Sequence, residues 1–493
     1  SDELPLLRWC ATHYVTPLAT VLRRTVPPNV PRPKAPPPGA EPSLGSGVSV
    51  TMNAAPHGAT VSDLLEDLPS DASAMVVVPT HVEATAIAHH LGDRAVIAHS
   101  GLEDKDTTKA WSRAAANPGT VLVGTREVVL WPVAGLAHIV VVEDARRVMK
   151  SPATPTFGVR EIALARGDHA AIPVSFVTPL PSLEVLTRAR PERSTGRAWG
   201  LVEIVDRTDE PPTGAVLVER TRTAIATGVS RGWDVFVLVP RRGYAKAVRC
   251  GRCGQLRVCV RCSAALPAEG PCVRCGAASG PCVSCGSQTW QGIGAGIGTV
   301  VEDLRRVVGS DVGPADAGRR VRIGTERDLV EATPVELAVA VDLDSIARAP
   351  TYRAAEDALR LGARLAHLVQ RGSGHRTVVQ TSDPDQPMVA ALRSGRWEAF
   401  MDGEAAARRS AGFPPFGELI ALEVSDAPDE LDDTLRTLSP SAAILGPASM
   451  RDRTRWLIQG ADLADLRVRL RPIVRRLRDA GVRVRVDVDP IDL

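Results

Sequence analysis

Aromatic side chains are scarce in this chain: 8 Trp, 3 Tyr and 6 Phe among 493 residues, or 3%. Binding modes that hold a nucleic-acid strand by stacking many bases on aromatic faces are therefore excluded. Net charge is scarce too. The 59 basic and 57 acidic residues leave a formal +2, so bulk electrostatics gives no argument for nucleic acid and only local patches can. No apolar run is long enough to span a bilayer, no signal-peptide pattern opens the chain, and no heptad repeat marks a coiled coil. These absences predict a cytoplasmic monomer with no membrane partner. Cysteine is missing almost everywhere. The one residue outside a single short stretch is Cys10, which follows Trp9 in an apolar segment and reads as a core thiol.

The other eight cysteines lie within residues 250–285 as four Cys-x-x-Cys pairs: Cys250/Cys253, Cys259/Cys262, Cys272/Cys275 and Cys282/Cys285. Each pair aims two thiolates at one point, and two pairs complete a tetrahedral shell of four sulfurs. Four pairs predict two ions. Gly254, Gly276 and Gly286 follow three of the pairs and suit the tight turn such a knuckle needs. The stretch has too few apolar side chains for a core, so metal binding must supply its folding free energy. A disulfide framework would need an oxidising compartment, and a redox motif would occur singly at a helix start. Iron fits the same shell, and two Zn²⁺ are expected as the commoner occupants. Spacing alone leaves open which pairs share an ion. With eight thiolates and two Zn²⁺ bound, the chain would carry about −2.

A chain of this length exceeds one core, so several domains are expected. Residues 1–26 carry a helical apolar pattern, and residues 27–47, rich in Pro and Gly, read as a stiff linker. From residue 48 apolar strand-like runs (74–78, 95–98, 120–123, 139–142 and 172–177) alternate with helical stretches at 82–91 and 104–116. This implies a parallel sheet covered on both faces, over 48–192. A second α/β lobe follows over 193–249 and 288–395, with strands at 233–239, 321–324, 337–342 and 376–380. The cysteine module, 250–287, interrupts it. Residues 396–493 read as an α+β domain ending in an alternating strand at 482–488.

Two α/β lobes with a four-knuckle insertion in the second resemble one family, the PriA primosomal replication restart proteins. In the first lobe the resemblance rests on His99-Ser100 with Trp111, on Gly124-Thr125-Arg126 and Pro132, and on Arg160-Glu161. In the second it rests on Arg241-Arg242-Gly243-Tyr244, Cys285-Gly286-Ser287, Gly296-Ile297-Gly298-Thr299, Ile323-Gly324-Thr325 and Val378-Val379-Gln380-Thr381 with Pro384. In the last domain it rests on Glu404, Arg408-Arg409, Phe413-Pro414-Pro415-Phe416 and Asp487-Val488-Asp489-Pro490. The resemblance implies two RecA-like helicase lobes and interleaved zinc pairing. Cys250, Cys253, Cys282 and Cys285 would hold one ion, and Cys259, Cys262, Cys272 and Cys275 the other. It also implies that residues 1–26 match the end of a domain that binds the 3′ end of a leading strand. The linker is too short for the winged helix that follows in the family.

The family's nucleotide machinery is broken at three places. The phosphate cradle Gly-x-Thr-Gly-Ser-Gly-Lys-Thr falls on Ala54-Ala55-Pro56-His57-Gly58-Ala59-Thr60, with Ala59 where the lysine belongs. That lysine neutralises phosphate charge, and its loss costs orders of magnitude in rate. The acidic box Asp-Glu-Glu-His falls on Glu143-Asp144-Ala145-Arg146: Asp144 keeps a carboxylate for Mg²⁺, Ala145 replaces the one that activates water, and a cation follows it. The arginine-finger pattern is absent from 360–371, which retains Gly362 and Arg364. Such degenerate motifs resemble the actinobacterial branch of the family. The lobes are therefore expected to lack catalytic and nucleotide-binding residues and to serve as a frame.

Residues 451–485 hold eleven Arg and four Asp. Leu463, Leu466, Leu470, Ile473, Val474 and Leu477 make the buried stripe of a helix that Pro472 is expected to break or kink. Arg451, Arg453, Arg455, Arg467, Arg471, Arg475 and Arg478 are candidate phosphate contacts and Trp456 a candidate base-stacking residue. Arg241 and Arg242, beside the metal module, are a second candidate patch. The resemblance implies a nucleoid-associated restart factor that binds forked or single-stranded DNA. Its implied partners are primosome proteins, the machinery that loads the replicative helicase, and single-stranded-DNA-binding protein. The competing expectations are an active ATP-dependent 3′-to-5′ helicase and a zinc-stabilised protein scaffold without DNA.

Overall fold

The computed structural model describes residues 3–27, 46–191, 196–208, 216–240, 248–261, 266, 270–272, 277–292, 297–438, 441–450 and 452–492. The linker expected at 27–47 lies almost wholly outside them. The chain divides into two compact units, residues 1–192 with 406–491, and residues 193–405 with 492–493.

The first unit is built on six strands, β1 (Val48–Met52), β2 (Ser73–Val77), β3 (Ala95–Ala98), β4 (Val121–Gly124), β5 (Leu136–Val142) and β6 (Val174–Thr178). All pair in parallel, in the order β1-β6-β5-β2-β4-β3. Alternate side chains serve opposite faces, as the pleat demands. Ala74, Val76, Val140 and Val142 face one core with Val61 and Ile87, while Met75, Val77, Ile139 and Val141 face the other.

The second unit carries β7 (Val202–Asp206), β8 (Val235–Leu238), the short pair β9 (Val248–Cys250) and β10 (Trp290–Gly292), then β11 (Val312–Pro314), β12 (Val321–Gly324), β13 (Leu337–Ala340) and β14 (Arg376–Thr381). Its main sheet is again parallel, ordered β11-β12-β8-β13-β14-β7. The antiparallel β9–β10 pair stands apart and roots the cysteine module, with Trp290 opposite Cys250.

The C-terminal region adds four strands, β15 (Glu418–Val424), β16 (Ala443–Ser449), β17 (Thr454–Gly460) and β18 (Val484–Val488), antiparallel in the order β16-β17-β15-β18. It belongs to the first unit. Leu422, Trp456, Ile458 and Leu470 share one buried cluster with Met75, Ile139 and Phe176 of the parallel sheet, and with Leu6, Leu7, Cys10 and Tyr14 of the N-terminal helix Leu4–His13. The C-terminal domain and the N-terminal segment thus complete one face of the first lobe. The Trp111 indole N–H donates to Thr25 O (2.8 Å) and the Gly158 N–H to the Tyr14 hydroxyl (3.2 Å), which pins the segment in place. Lys150 donates to the carbonyls of Val488 (2.7 Å) and Asp489 (2.5 Å) and pairs with Asp487 (2.8 Å). Thr156 donates to Val486 O, so the β18 edge is covered.

One expectation is corrected here. The helix Ala464–Asp479 runs through Pro472 without a break. Pro472 lies on the exposed face, where solvent can satisfy the carbonyl that its missing N–H leaves unbonded.

Two predictions follow from this core. Cys10 is 1% exposed and burial pushes its thiol up to about 12 from 9.0. Its thiolate is then about a thousandfold rarer than that of an ordinary cysteine, so maleimide should label it only on unfolding. Labelling of the folded protein ahead of unfolding would contradict this. His13 stacks on Trp9 at 4.7 Å, and burial, then Arg467, lower its pKa from 6.5 to about 3. As pH falls through that window the unfolded chain gains a proton that the folded chain refuses. Stability is lost at up to about 1.4 kcal/mol per pH unit. Urea melts of His13→Phe should show a flatter slope against pH than wild type.

Candidate functional site

The first candidate site is the root of the cysteine module. The Sγ atoms of Cys250 and Cys285 lie 3.4 Å apart and those of Cys253 and Cys282 3.6 Å, and all four are within 4.8 Å of one another. Four sulfurs about 2.3 Å from a central ion sit about 3.8 Å apart, so this set fits a tetrahedral ion and can hold one. A disulfide needs about 2.05 Å.

The sequence builds the two knuckles as copies. Cys250 N donates to Gln255 O and Cys282 N to Ser287 O; Gly254 N donates to Cys250 O and Gly286 N to Cys282 O. Gly254 and Gly286 take φ of +74° and +71°, a region costly for other residues. Burial pushes the Cys250 thiol up, but the Cys253 and Arg252 N–H groups and the Cys285 thiol outweigh it and bring it down to about 6. Cys253 moves the other way: against the Gln255 N–H that lowers it, burial and its three neighbouring thiols push it up to about 12, so the four do not all favour the thiolate without a cation.

The inner cysteines are described only in part, since Cys262 and Cys275 lie outside the described residues. Cys259 and Cys272 fall in one buried cluster with Leu266. Cys272 N donates to Ala277 O and Arg261 N to Cys259 Sγ (3.4 Å), the same contacts that shape the outer knuckles. Arg257 stacks on Trp290 at 4.4 Å.

The second candidate lies at the carboxyl ends of four adjacent strands of the first lobe, β1, β6, β5 and β2, the crevice where open α/β sheets hold ligands. His57 follows β1, Ser182 and Glu184 follow β6, Glu143 and Asp144 follow β5, and Thr80 and Glu83 follow β2. His57 is buried, and its Nε2 is 3.0 Å from Glu143 Oε1. The Arg146 guanidinium donates to both oxygens of Glu83 (2.8 and 3.0 Å), and its Nε lies 3.7 Å from Glu143 Oε2. Glu83 also accepts from the Thr80 hydroxyl (2.7 Å), whose oxygen caps the helix His81–Leu91. Glu143 holds φ +46°, a left-handed conformation that costs a non-glycine residue about 1–2 kcal/mol and marks a turn fixed by its surroundings.

Asp144, expected to keep a carboxylate for Mg²⁺, accepts instead from Arg160 (3.0 Å) and Ser182 Oγ (2.7 Å) with its side chain fully buried. Arg160 continues to Glu184 (3.6 Å), and Glu184 to Arg408 (3.8 Å). In the loop after β1, where the resemblance places a phosphate cradle, Thr60 accepts from the Asn53 amide. A side chain at Gly58 would strike the His90 ring, so this glycine serves close packing. In the second unit Arg364 pairs with Glu326 (3.1 Å), and Arg360 with Glu356 and with Asp357 (2.8 Å).

The structure redistributes the candidate DNA contacts. Arg241, Arg242 and Arg451 lie outside the described residues. Trp456 is 2% exposed and its indole N–H donates to Asp432 (3.0 Å); it is a core residue and cannot stack on a base. Arg467 is likewise buried, held by Glu418 at 3.0 and 3.1 Å. Its helix position falls beside Leu466 and Leu470, on the packed side. Arg453 and Arg455 pair with Glu423 at 2.9 and 3.7 Å. Half-buried Arg471 donates to Thr12 Oγ1 (3.4 Å) and Arg478 to Val484 O (3.2 Å). Arg475 is exposed and pairs loosely with Asp479 (3.6 Å). Arg469 and Arg476, not singled out by the sequence pattern, share that open face. Glu83 was missed too, although Thr80-x-x-Glu83 before an apolar run is the spacing of a capping box.

Comparison with known proteins fits this architecture. The family model of the primosomal protein N C-terminal domain matches residues 409–491. Replication restart protein PriA of Synechocystis is 23% identical over 469 residues, covering 82% of this chain and 56% of that protein. PriA of Bacillus subtilis is 23% identical, covering 81% and 57%. The chain is a relative of the PriA replication restart proteins. The probable PriA of Mycobacterium leprae is 26% identical, covering 85% of this chain and 73% of that protein. The chain spans a little over half the length of the first two PriA relatives. Among solved structures, RecG bound to a three-way DNA junction superposes with a TM-score of 0.40 at 11% identity, over 73% of this chain and 44% of that one. Among the described residues no helix is long and apolar enough to cross a membrane.

The geometry of the four outer thiols makes a prediction. Cys285→Ser should release one metal ion per chain, read by elemental analysis against wild type. It should also loosen the β9–β10 pair, because metal binding is the folding energy of such a module. Unchanged metal content would contradict the shared shell.

Proposed function

We propose that the chain binds stalled or abandoned DNA forks and promotes primosome assembly and reloading of the replicative helicase, without hydrolysing ATP. The observation that carries the second half is the closed state of the lobe 1 carboxylates. Glu143 is engaged by His57 and Arg146, and Asp144 by Arg160 and Ser182. ATP hydrolysis on such a lobe needs a carboxylate free to take Mg²⁺ and a cation free to meet phosphate. Here Ala59 and Ala145 supply neither, and the remaining charges bind one another. Kinship to PriA proteins supports the restart role. The lobes act as a frame for the cysteine module and the C-terminal domain.

The module holds two Zn²⁺, one on Cys250, Cys253, Cys282 and Cys285 and one on Cys259, Cys262, Cys272 and Cys275. These ions are structural: a shell of four thiolates leaves no open position for substrate. DNA is met by the exposed arginines Arg469, Arg475 and Arg476 of the C-terminal helix and by Arg241 and Arg242 beside the module. Primosome and helicase-loading proteins, and single-stranded-DNA-binding protein, are the partners this role requires.

Two measurements on zinc-loaded protein test the reading. Fork affinity should fall with salt, and Arg475→Glu with Arg476→Glu should reduce that log–log slope by about 2 if each meets one phosphate. A wild-type slope near zero would leave a protein scaffold without DNA. ATP turnover with forked DNA should not exceed that of Asp144→Asn. Fork-stimulated ADP formation that this substitution abolishes would instead restore the helicase reading.

A further inference from the structure

His57, Glu83 and Glu143 each bring one ligand atom within 4.8 Å of the other two, all three residues being buried. One imidazole nitrogen and two carboxylates are a donor set suited to a divalent cation. Ligands about 2.1 Å from one ion lie about 3 to 4.2 Å apart, so a contraction of about half an ångström would close this set on an ion. The three residues come from separate elements: the loop after β1, the first turn of the helix after β2, and the strained turn after β5. Only a central positive charge makes that convergence favourable, because buried carboxylates without a cation are costly.

The structure already supplies a cation. The Arg146 guanidinium spans the two carboxylates, with Glu83 at 2.8 and 3.0 Å and Glu143 at 3.7 Å. The lone pairs a metal would use on Glu83 are spent on this guanidinium. We infer that Arg146 is a built-in counter-ion occupying a divalent-cation site, and that removing it converts His57, Glu83 and Glu143 into a working metal site. The inference deepens the non-hydrolysing reading proposed above, but it concerns cation occupancy alone and is tested without DNA or nucleotide. Coulomb's law gives its direction. A unit positive charge about 4 Å from a divalent ion disfavours that ion strongly at any interior dielectric, so wild type excludes what the variant admits.

The test is Mn²⁺ binding to the zinc-loaded full chain, followed by the electron paramagnetic resonance of free Mn²⁺. This hard cation prefers N and O donors and leaves thiolate-bound zinc in place. Wild type and Arg146→Lys, which keeps a cation, should bind no Mn²⁺ at this cluster. Arg146→Ala should bind one per chain at Mn²⁺ concentrations at which wild type binds none. Arg146→Ala combined with Glu143→Gln should lose it. If Arg146→Ala unfolds in metal-free buffer, Mn²⁺ should restore its cooperative melt, since an ion that binds only the folded state stabilises it. A folded Arg146→Ala that takes no Mn²⁺, or one that no Mn²⁺ concentration refolds, would overturn the inference. So would wild-type binding of one Mn²⁺ that Glu143→Gln abolishes. Each of these failures leaves the fork-binding reading intact.

Discussion

A charge removed from water must find a partner, and in the first unit this demand organises the carboxyl ends of the central strands. Glu143 and Asp144 end the same strand and point into different networks. Glu143 meets His57 and Arg146, which ties the loop after β1 to the helix after β2. Asp144 meets Arg160 and Ser182, and through Arg160 and Glu184 the line of charges reaches Arg408, where the chain returns to this unit. Breaking one member would leave the others buried and uncompensated, so the members are held together as sets. The side chains at these strand ends pair with one another, although His57 Nδ1 and Asp144 Oδ1 are buried without a hydrogen-bond partner among the described residues.

The cysteine module answers the same demand differently. Its sulfurs are assembled at an edge with little apolar support, and only a metal can neutralise four converging thiolates. The repeated turn, an N–H to a carbonyl five residues on and a glycine in the left-handed region, shapes both outer knuckles. Sequence and geometry agree most closely here, because a knuckle is a local object fixed by six consecutive residues.

Legibility elsewhere followed the same division between local and distant causes. The parallel strands were readable because both faces are buried and the runs are nearly continuous in Val, Ile and Ala. The strands β16 and β17 were less visible, since β16 is mostly exposed and β17 buries only Trp456 and Ile458, whereas β15 is buried along nearly its whole length and was missed all the same. Trp456 and Arg467 were misread as surface residues for a related reason. A tryptophan among arginines looks like a stacking site until Asp432 and Leu422 are seen beside it, and Arg467 becomes internal only because Glu418, 49 residues earlier, faces it. Ala59 and Ala145, where the resemblance places a lysine and a carboxylate, could be read in the sequence. The pairing of His57 with Glu143 and of Arg146 with Glu83 could not, because these residues follow different strands.

The first unit is discontinuous: its last 86 residues, 406–491, follow residues 193–405 of the second unit. Until they are made, the cluster that holds Met75, Ile139, Phe176 and the N-terminal helix lacks its C-terminal members, Leu422, Trp456, Ile458 and Leu470 among them. The strands of the second unit all lie within residues 193–405, so its sheet can be completed earlier. The core of the first unit is therefore complete only after the chain beyond residue 405 has been made. Its last contact, Asp487 with Lys150, joins segments more than three hundred residues apart.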